Sequence, residues 1–101
     1  MAQVKVCSVD SVSIGSMKQF YVNDLEILVV NFDHQIYCLD GRCTHAGAPL
    51  AEGTLNGWVL TCPWHGSQFN VTNGSILRGP TEKPLKVYPS AVRDGFVFIE
   101  V

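Results

Sequence analysis

Four residues in two short stretches have the types and spacing to hold a metal together. Cys43 and His45 form a C-x-H pair in CTHAGAPL (43–50), and Cys62 and His65 form a C-x-x-H pair in CPWHGSQF (62–69), with sixteen residues between His45 and Cys62. A lone cysteine is usually a small buried apolar residue, and a lone histidine is usually a solvated or hydrogen-bonded one. Two such pairs, each flanked by glycine and proline, stand out in a chain with four cysteines and three histidines. A nucleophilic Cys-His dyad would use one pair and leave the other without a task. Disulfides are rare where thiols are kept reduced. Metal binding accounts for both pairs.

Spacing alone leaves the metal open. Two thiolates and two imidazoles suit tetrahedral zinc, although zinc fingers usually draw both cysteines from one half of the motif and both histidines from the other. Here each half supplies one of each, which fits two irons bridged by two sulfides, with each loop giving its cysteine to one iron and its histidine to the other. Neutral imidazoles in place of two thiolates bring the formal charge of the oxidised centre from about −2 to roughly zero, which eases the arrival of an electron. Gly47 and Gly66 are expected to let backbone N–H groups approach the sulfurs without a Cβ in the way.

The elements that must position these loops read as strands. VKVCSV (4–9), KQFYV (18–22), LEILVVNF (25–32) and QIYCLD (35–40) are rich in β-branched and aromatic residues and are separated by turn formers at VND and FDHQ. GWVLTC (57–62) reads as the strand that delivers the second loop, NVTNGSIL (70–77) as a hairpin about Asn73-Gly74, and VRDGFVFIEV (92–101) as a hairpin about Asp94-Gly95. Glycine and proline interrupt the pattern too often for ordinary helices. The expected fold is an all-β antiparallel sandwich or small barrel, with the two Cys-His loops and the Gly79–Pro84 segment inserted between the early and late strands.

Composition narrows the function classes. The chain has 101 residues, 47% hydrophobic and 16% charged, with a net charge of −2, which predicts one compact domain over 1–101. No cluster of Lys and Arg marks a nucleic-acid or anionic-membrane partner. The longest apolar run, ILVV at 27–30, is far too short to span a bilayer. The N-terminal residues read as a strand and lack a signal-peptide pattern, so a cytoplasmic location is expected.

The sequence resembles the Rieske proteins. The residues that carry the resemblance are Cys43, Thr44, His45, Gly47, Cys62, Pro63, His65, Gly66 and Ser67, with Gly79-Pro80 resembling the proline-bearing loop that covers the cluster in that family. It implies one Rieske 2Fe-2S cluster per chain, bound by Cys43 and Cys62 on a buried iron and by His45 and His65 on an outer one, within a region of about residues 41–82. Rieske subunits of respiratory and photosynthetic complexes carry a disulfide between the loops; Ala48 and Trp64 stand at those positions here. Phe69 stands where they have a tyrosine that hydrogen-bonds a ligand sulfur. The chain looks most like the Rieske ferredoxins that feed oxygenases. That implies a one-electron carrier and not an enzyme, with a reductase as donor, an oxygenase or other acceptor, and no nucleic-acid or membrane partner. A small subunit of a multi-subunit oxidoreductase such as nitrite reductase is the alternative, and a zinc-binding structural module a remoter one. Cys7, Cys38 and Trp58 are expected in the core and His34 in solvent, while Trp64 packs under its loop, shields the cluster from water or offers an apolar docking surface with Leu50 and Pro80.

Overall fold

The computed structural model describes residues 3–44, 46–79 and 81–101; His45 and Pro80, both singled out above, lie outside them. Short strands joined by tight turns make up most of the chain. β1 (Gln3–Ser8) leads through a single 3₁₀ turn to β2 (Ser16–Val22), β3 (Leu25–Phe32) and β4 (Gln35–Asp40). Asn23-Asp24 and Asp33-His34 join these last three strands with all four residues at φ between 48° and 68°, the mirror-image turn that matches strand twist and that Asn and Asp tolerate best. After a second 3₁₀ turn come β5 (Thr54–Asn56), β6 (Val59–Thr61), β7 (Gln68–Asn70) and β8 (Ile76–Arg78), then β9 (Val87–Tyr88), β10 (Ser90–Arg93) and β11 (Phe96–Glu100). Asp94-Gly95 closes the final hairpin, pairing Arg93 with Phe96.

The result is all-β and antiparallel, in three sheets ordered β1-β11-β10, β2-β3-β4-β9 and β5-β6-β7-β8. Among the described residues no helix is long and apolar enough to cross a membrane. The ILVV run finds its explanation in β3. Side chains alternate across a strand, so Leu28 and Val30 join one core with Leu39, Leu60, Phe69 and the two loop cysteines, while Ile27 and Val29 join a second with Cys38, Val97 and Ile99. A strand covered on both faces needs no polar alternation. Each fully buried Leu or Val there contributes about 1.5–3 kcal/mol relative to exposure.

Several details depart from the sequence reading. The expected strand over 57–62 starts only at Val59, because Gly57 (φ 61°) and Trp58 form the turn between β5 and β6. Trp58 is therefore half-exposed, not core, its ring edge-on to Phe32 at 6.2 Å between centroids. The Asn73-Gly74 hairpin is wider than expected. β7 stops at Asn70, whose side-chain oxygen takes the Thr72 amide and hydroxyl, and the Gly74 carbonyl accepts the Leu85 amide at 2.9 Å, so this turn docks the returning chain. β5 and β9 are too short to stand out in a sequence. Cys7 is half-buried beside the second core and Cys38 fully buried within it, while His34 lies in solvent.

Residues 41–86 leave from β4 and return at β9, and these two strands pair directly, Cys38 with Tyr88 and Leu39 with Val87. This stem has a side-chain lock: the Tyr88 hydroxyl donates to Asp40 Oδ1 at 2.7 Å. Burial and the neighbouring carboxylate push the Tyr88 phenol up from 10.0 to about 12. A folded-state value above the unfolded one gives stabilisation that is complete below pH 10 and is lost as pH rises towards 12. Tyr88→Phe should lower the unfolding free energy at neutral pH by about 1–2 kcal/mol. It should also flatten the alkaline loss of stability relative to wild type, both read from denaturant midpoints across pH.

Candidate metal centre

The two Cys-His loops are the same turn built twice. In the first, the Cys43 amide donates to the Ala48 carbonyl at 2.9 Å; in the second, the Cys62 amide donates to the Ser67 carbonyl at 2.7 Å. Each closure spans five residues, and the fourth residue after each cysteine is a glycine, Gly47 at φ 71° and Gly66 at φ 76°. That backbone conformation is what the glycines supply, since a Cβ disfavours it. The Gly47 amide itself donates to the Cys43 carbonyl at 2.9 Å and so helps to close the turn.

The loops sort their side chains by depth. Cys43 and Cys62 are 4% and 3% exposed and sit in one apolar cluster with Ala48, Leu50, Leu60 and Phe69. His65 and Trp64 are exposed on the second loop. Sulfur donors thus lie under cover, with an imidazole at the rim, which suits a group whose thiolate end is shielded and whose imidazole end meets solvent. His45 lies outside the described residues. Ala48 and Leu50 are sealed and Trp64 is 56% exposed, so Trp64 does not pack under its loop, and Leu50, held in the core, cannot share a docking surface with it. Cys7 and Cys38 belong to the other core, and burial pushes their thiols up, that of Cys38 to about 12, which disfavours a ligating thiolate.

Two bracing contacts were not legible in the sequence. Arg42 grips Glu26 of β3 through both ends of its guanidinium, Nε to Oε2 and Nη2 to Oε1 at 3.1 Å, and its Nη1 donates to the Gly47 carbonyl at 3.0 Å. The first loop is thereby fastened to the central sheet, where Gly41 also donates to the Glu26 carbonyl at 2.9 Å. The hydrogen bond from Arg42 holds the Glu26 carboxyl below its usual range. The Gly79–Pro84 segment meets both loops: Thr44 Oγ1 lies 2.5 Å from Thr81 Oγ1 and 2.6 Å from the Lys83 carbonyl, and the Thr81 amide reaches Ser67 Oγ at 3.4 Å. Ser67 and Thr81 are buried.

Comparison with known proteins agrees with this geometry. A family model described as the Rieske [2Fe-2S] domain matches residues 2–89. The chain is 33% identical over 103 residues to the 3-phenylpropionate/cinnamic acid dioxygenase ferredoxin subunit of Photorhabdus laumondii, covering 100% of this chain and 96% of that protein. It is similar to the solved structure of the Sphingomonas yanoikuyae B1 ferredoxin, with a TM-score of 0.93, 32% identity and 99% of each chain covered. It is also similar to a chain in a complex of reduced oxygenase and oxidized ferredoxin in carbazole 1,9a-dioxygenase, with a TM-score of 0.88, 35% identity, and 96% and 91% of the two chains covered.

The Arg42–Glu26 brace yields a test in acid. A carboxyl held below its unfolded value stabilises above that value and loses the contribution as pH falls through the folded one. Amide exchange across residues 43–48, corrected for its intrinsic pH dependence, should therefore quicken in wild type as Glu26 becomes protonated. Arg42→Ala should show the fast exchange already at neutral pH, with the β2–β3 hairpin unchanged. Arg42→Lys should behave more like Arg42→Ala than wild type, because an ammonium cannot hold the carboxylate and the Gly47 carbonyl in the same fork.

Proposed function

This chain belongs to the Rieske family, and we propose that it is a one-electron carrier that takes electrons from a reductase and passes them to an oxygenase. The observation that carries the reading is the pair of matched loops that bury Cys43 and Cys62 together and leave His65 at the rim. The donor set fits a Rieske two-iron, two-sulfide cluster, one per chain, with Cys43, His45, Cys62 and His65 as the proposed ligands. Such a cluster supplies a centre that gains and loses a single electron. The protein's own residues do the rest. Leu50, Leu60 and Phe69 keep water from the thiol side, and the exposed second-loop imidazole with Trp64 beside it offers a partner a short approach.

The relatives bear on the partners. One is named as the ferredoxin subunit of a dioxygenase, and another comes from a complex of ferredoxin with oxygenase. We take residues 1–101 as one Rieske domain with its cluster region at about 41–82, a division supported by the pairing of β4 and β9 around the insertion. The similarity to chains named as ferredoxins supports treating this chain as an electron-transfer protein and not an enzyme. Its proposed location is the cytoplasm, where thiols such as Cys7 and Cys38 stay reduced.

Ligand assignment is tested by analysis for iron and acid-labile sulfide. Cys43→Ser and Cys62→Ser should each lose the cluster, because a hydroxyl stays protonated and binds iron poorly, whereas Cys7→Ser and Cys38→Ser should keep it. Retention in Cys43→Ser with loss in Cys7→Ser would reverse the assignment. The reduction potential should lie near the low end of the Rieske range, closer to about −150 mV than to about +300 mV. Ala48 and Trp64 exclude a disulfide between the loops, and buried Phe69 donates no hydrogen bond to sulfur. Phe69→Tyr should raise the potential, as voltammetry near neutral pH would show.

A further inference from the structure

We propose that Thr81 is a positioning residue, its hydroxyl fastening the peptide between Cys43 and His45 to the segment that follows β8. The inference rests on the assignment of those two residues as ligands. Each loop closes on itself, and Ala48 and Trp64 stand where the resemblance would put a disulfide between the loops. The segment after β8 joins them instead. Gly79, at φ 117°, lies so close over Ser67 that a Cβ would collide with the Ser67 backbone, and the Thr81 amide points to Ser67 Oγ. That end is anchored on the second loop. From there the Thr81 side chain reaches the first loop at Thr44.

Proton accounting gives the contact a direction. A carbonyl only accepts, and two hydroxyls lie near that of Lys83, Thr44 Oγ1 at 2.6 Å and Thr81 Oγ1 at 3.4 Å; the shorter contact takes the Thr44 proton. Thr44 Oγ1 must then accept, and Thr81 Oγ1 at 2.5 Å is its donor. The chain therefore runs from the Thr81 hydroxyl to the Thr44 hydroxyl to the Lys83 carbonyl. Thr81 is 6% exposed, so water is poorly placed to substitute for it. Thr44 follows Cys43 directly, so rotating its peptide would turn the Cys43 side chain. A carrier whose ligands must hold one geometry in two oxidation states gains from that restraint.

The test uses the cluster-loaded protein and the variants Thr81→Val, Thr81→Ser, Thr44→Val and the double valine variant. The readouts are the rate at which a chelator bleaches the visible absorption, the reduction potential, and the g values of the reduced centre. Thr81→Val keeps the branched shape and removes the hydroxyl, so bleaching should quicken about three- to tenfold. The potential and g values should also move, and Thr81→Ser should restore all three. Because Thr44→Val already removes the shared bond, adding Thr81→Val to it should change little. Wild-type behaviour of Thr81→Val, failure of serine to rescue, or multiplying effects in the double variant would each overturn the proposal. Iron and sulfide content of the wild type tests the functional reading separately: a protein without both sinks that reading, while a loaded protein indifferent to Thr81→Val sinks only this one.

Discussion

The burial of β3 on both faces is the constraint on which the rest of the structure depends. Its successive residues alternate between two cores, so the central sheet is covered by the β1-β11-β10 sheet on one side and by the loop-bearing β5–β8 sheet on the other. Without β3 in the middle, the side that holds Cys43 and Cys62 would have no apolar floor. The same strand also supplies Glu26, through which Arg42 and Gly41 fasten the first loop. One strand thus sets both the depth and the orientation of the site.

The site itself resolves two opposing demands. Thiol groups that are to be shielded from water need burial, and burial in apolar surroundings raises the cost of a thiolate, as the upward shift at Cys38 illustrates. An imidazole that is to meet a partner needs exposure. The matched loops satisfy both by placing the cysteine at the root of the turn and the histidine of the second loop beyond it. Closure of each turn by the cysteine's own amide occupies a donor that would otherwise be stranded near the core.

What joins the loops is polar and dispersed. A guanidinium fork ties the first loop to β3, and a chain of hydroxyls ties it to the segment after β8, which in turn lies on Ser67 of the second loop. Hydrogen bonds in partly buried places are individually modest, but they are directional. They therefore suit the orientation of a loop better than bulk hydrophobic contact does.

The sequence by itself determined the features encoded within a few residues. The spacing of Cys43, Cys62 and His65, the repeat of glycine after each pair, and the Asn-Asp, Asp-His and Asp-Gly turns all follow from local sterics and ligand reach; β3 and β4 have the bounds expected of them, and β1 and β2 fall within two residues of theirs. Resemblance carried the reading on to the cluster. Only the tertiary structure decided that ILVV splits between two cores, that Trp58 turns outward, that the Asn73-Gly74 turn widens to receive Leu85, and that Gly47 spends its amide on its own turn. It alone brought Arg42 to Glu26 across sixteen positions and Thr44 to Thr81 across thirty-seven. The physical reason is the same in each case: a turn is settled by its own backbone sterics, but which face is covered and which polar group finds a partner depends on what the rest of the chain brings alongside.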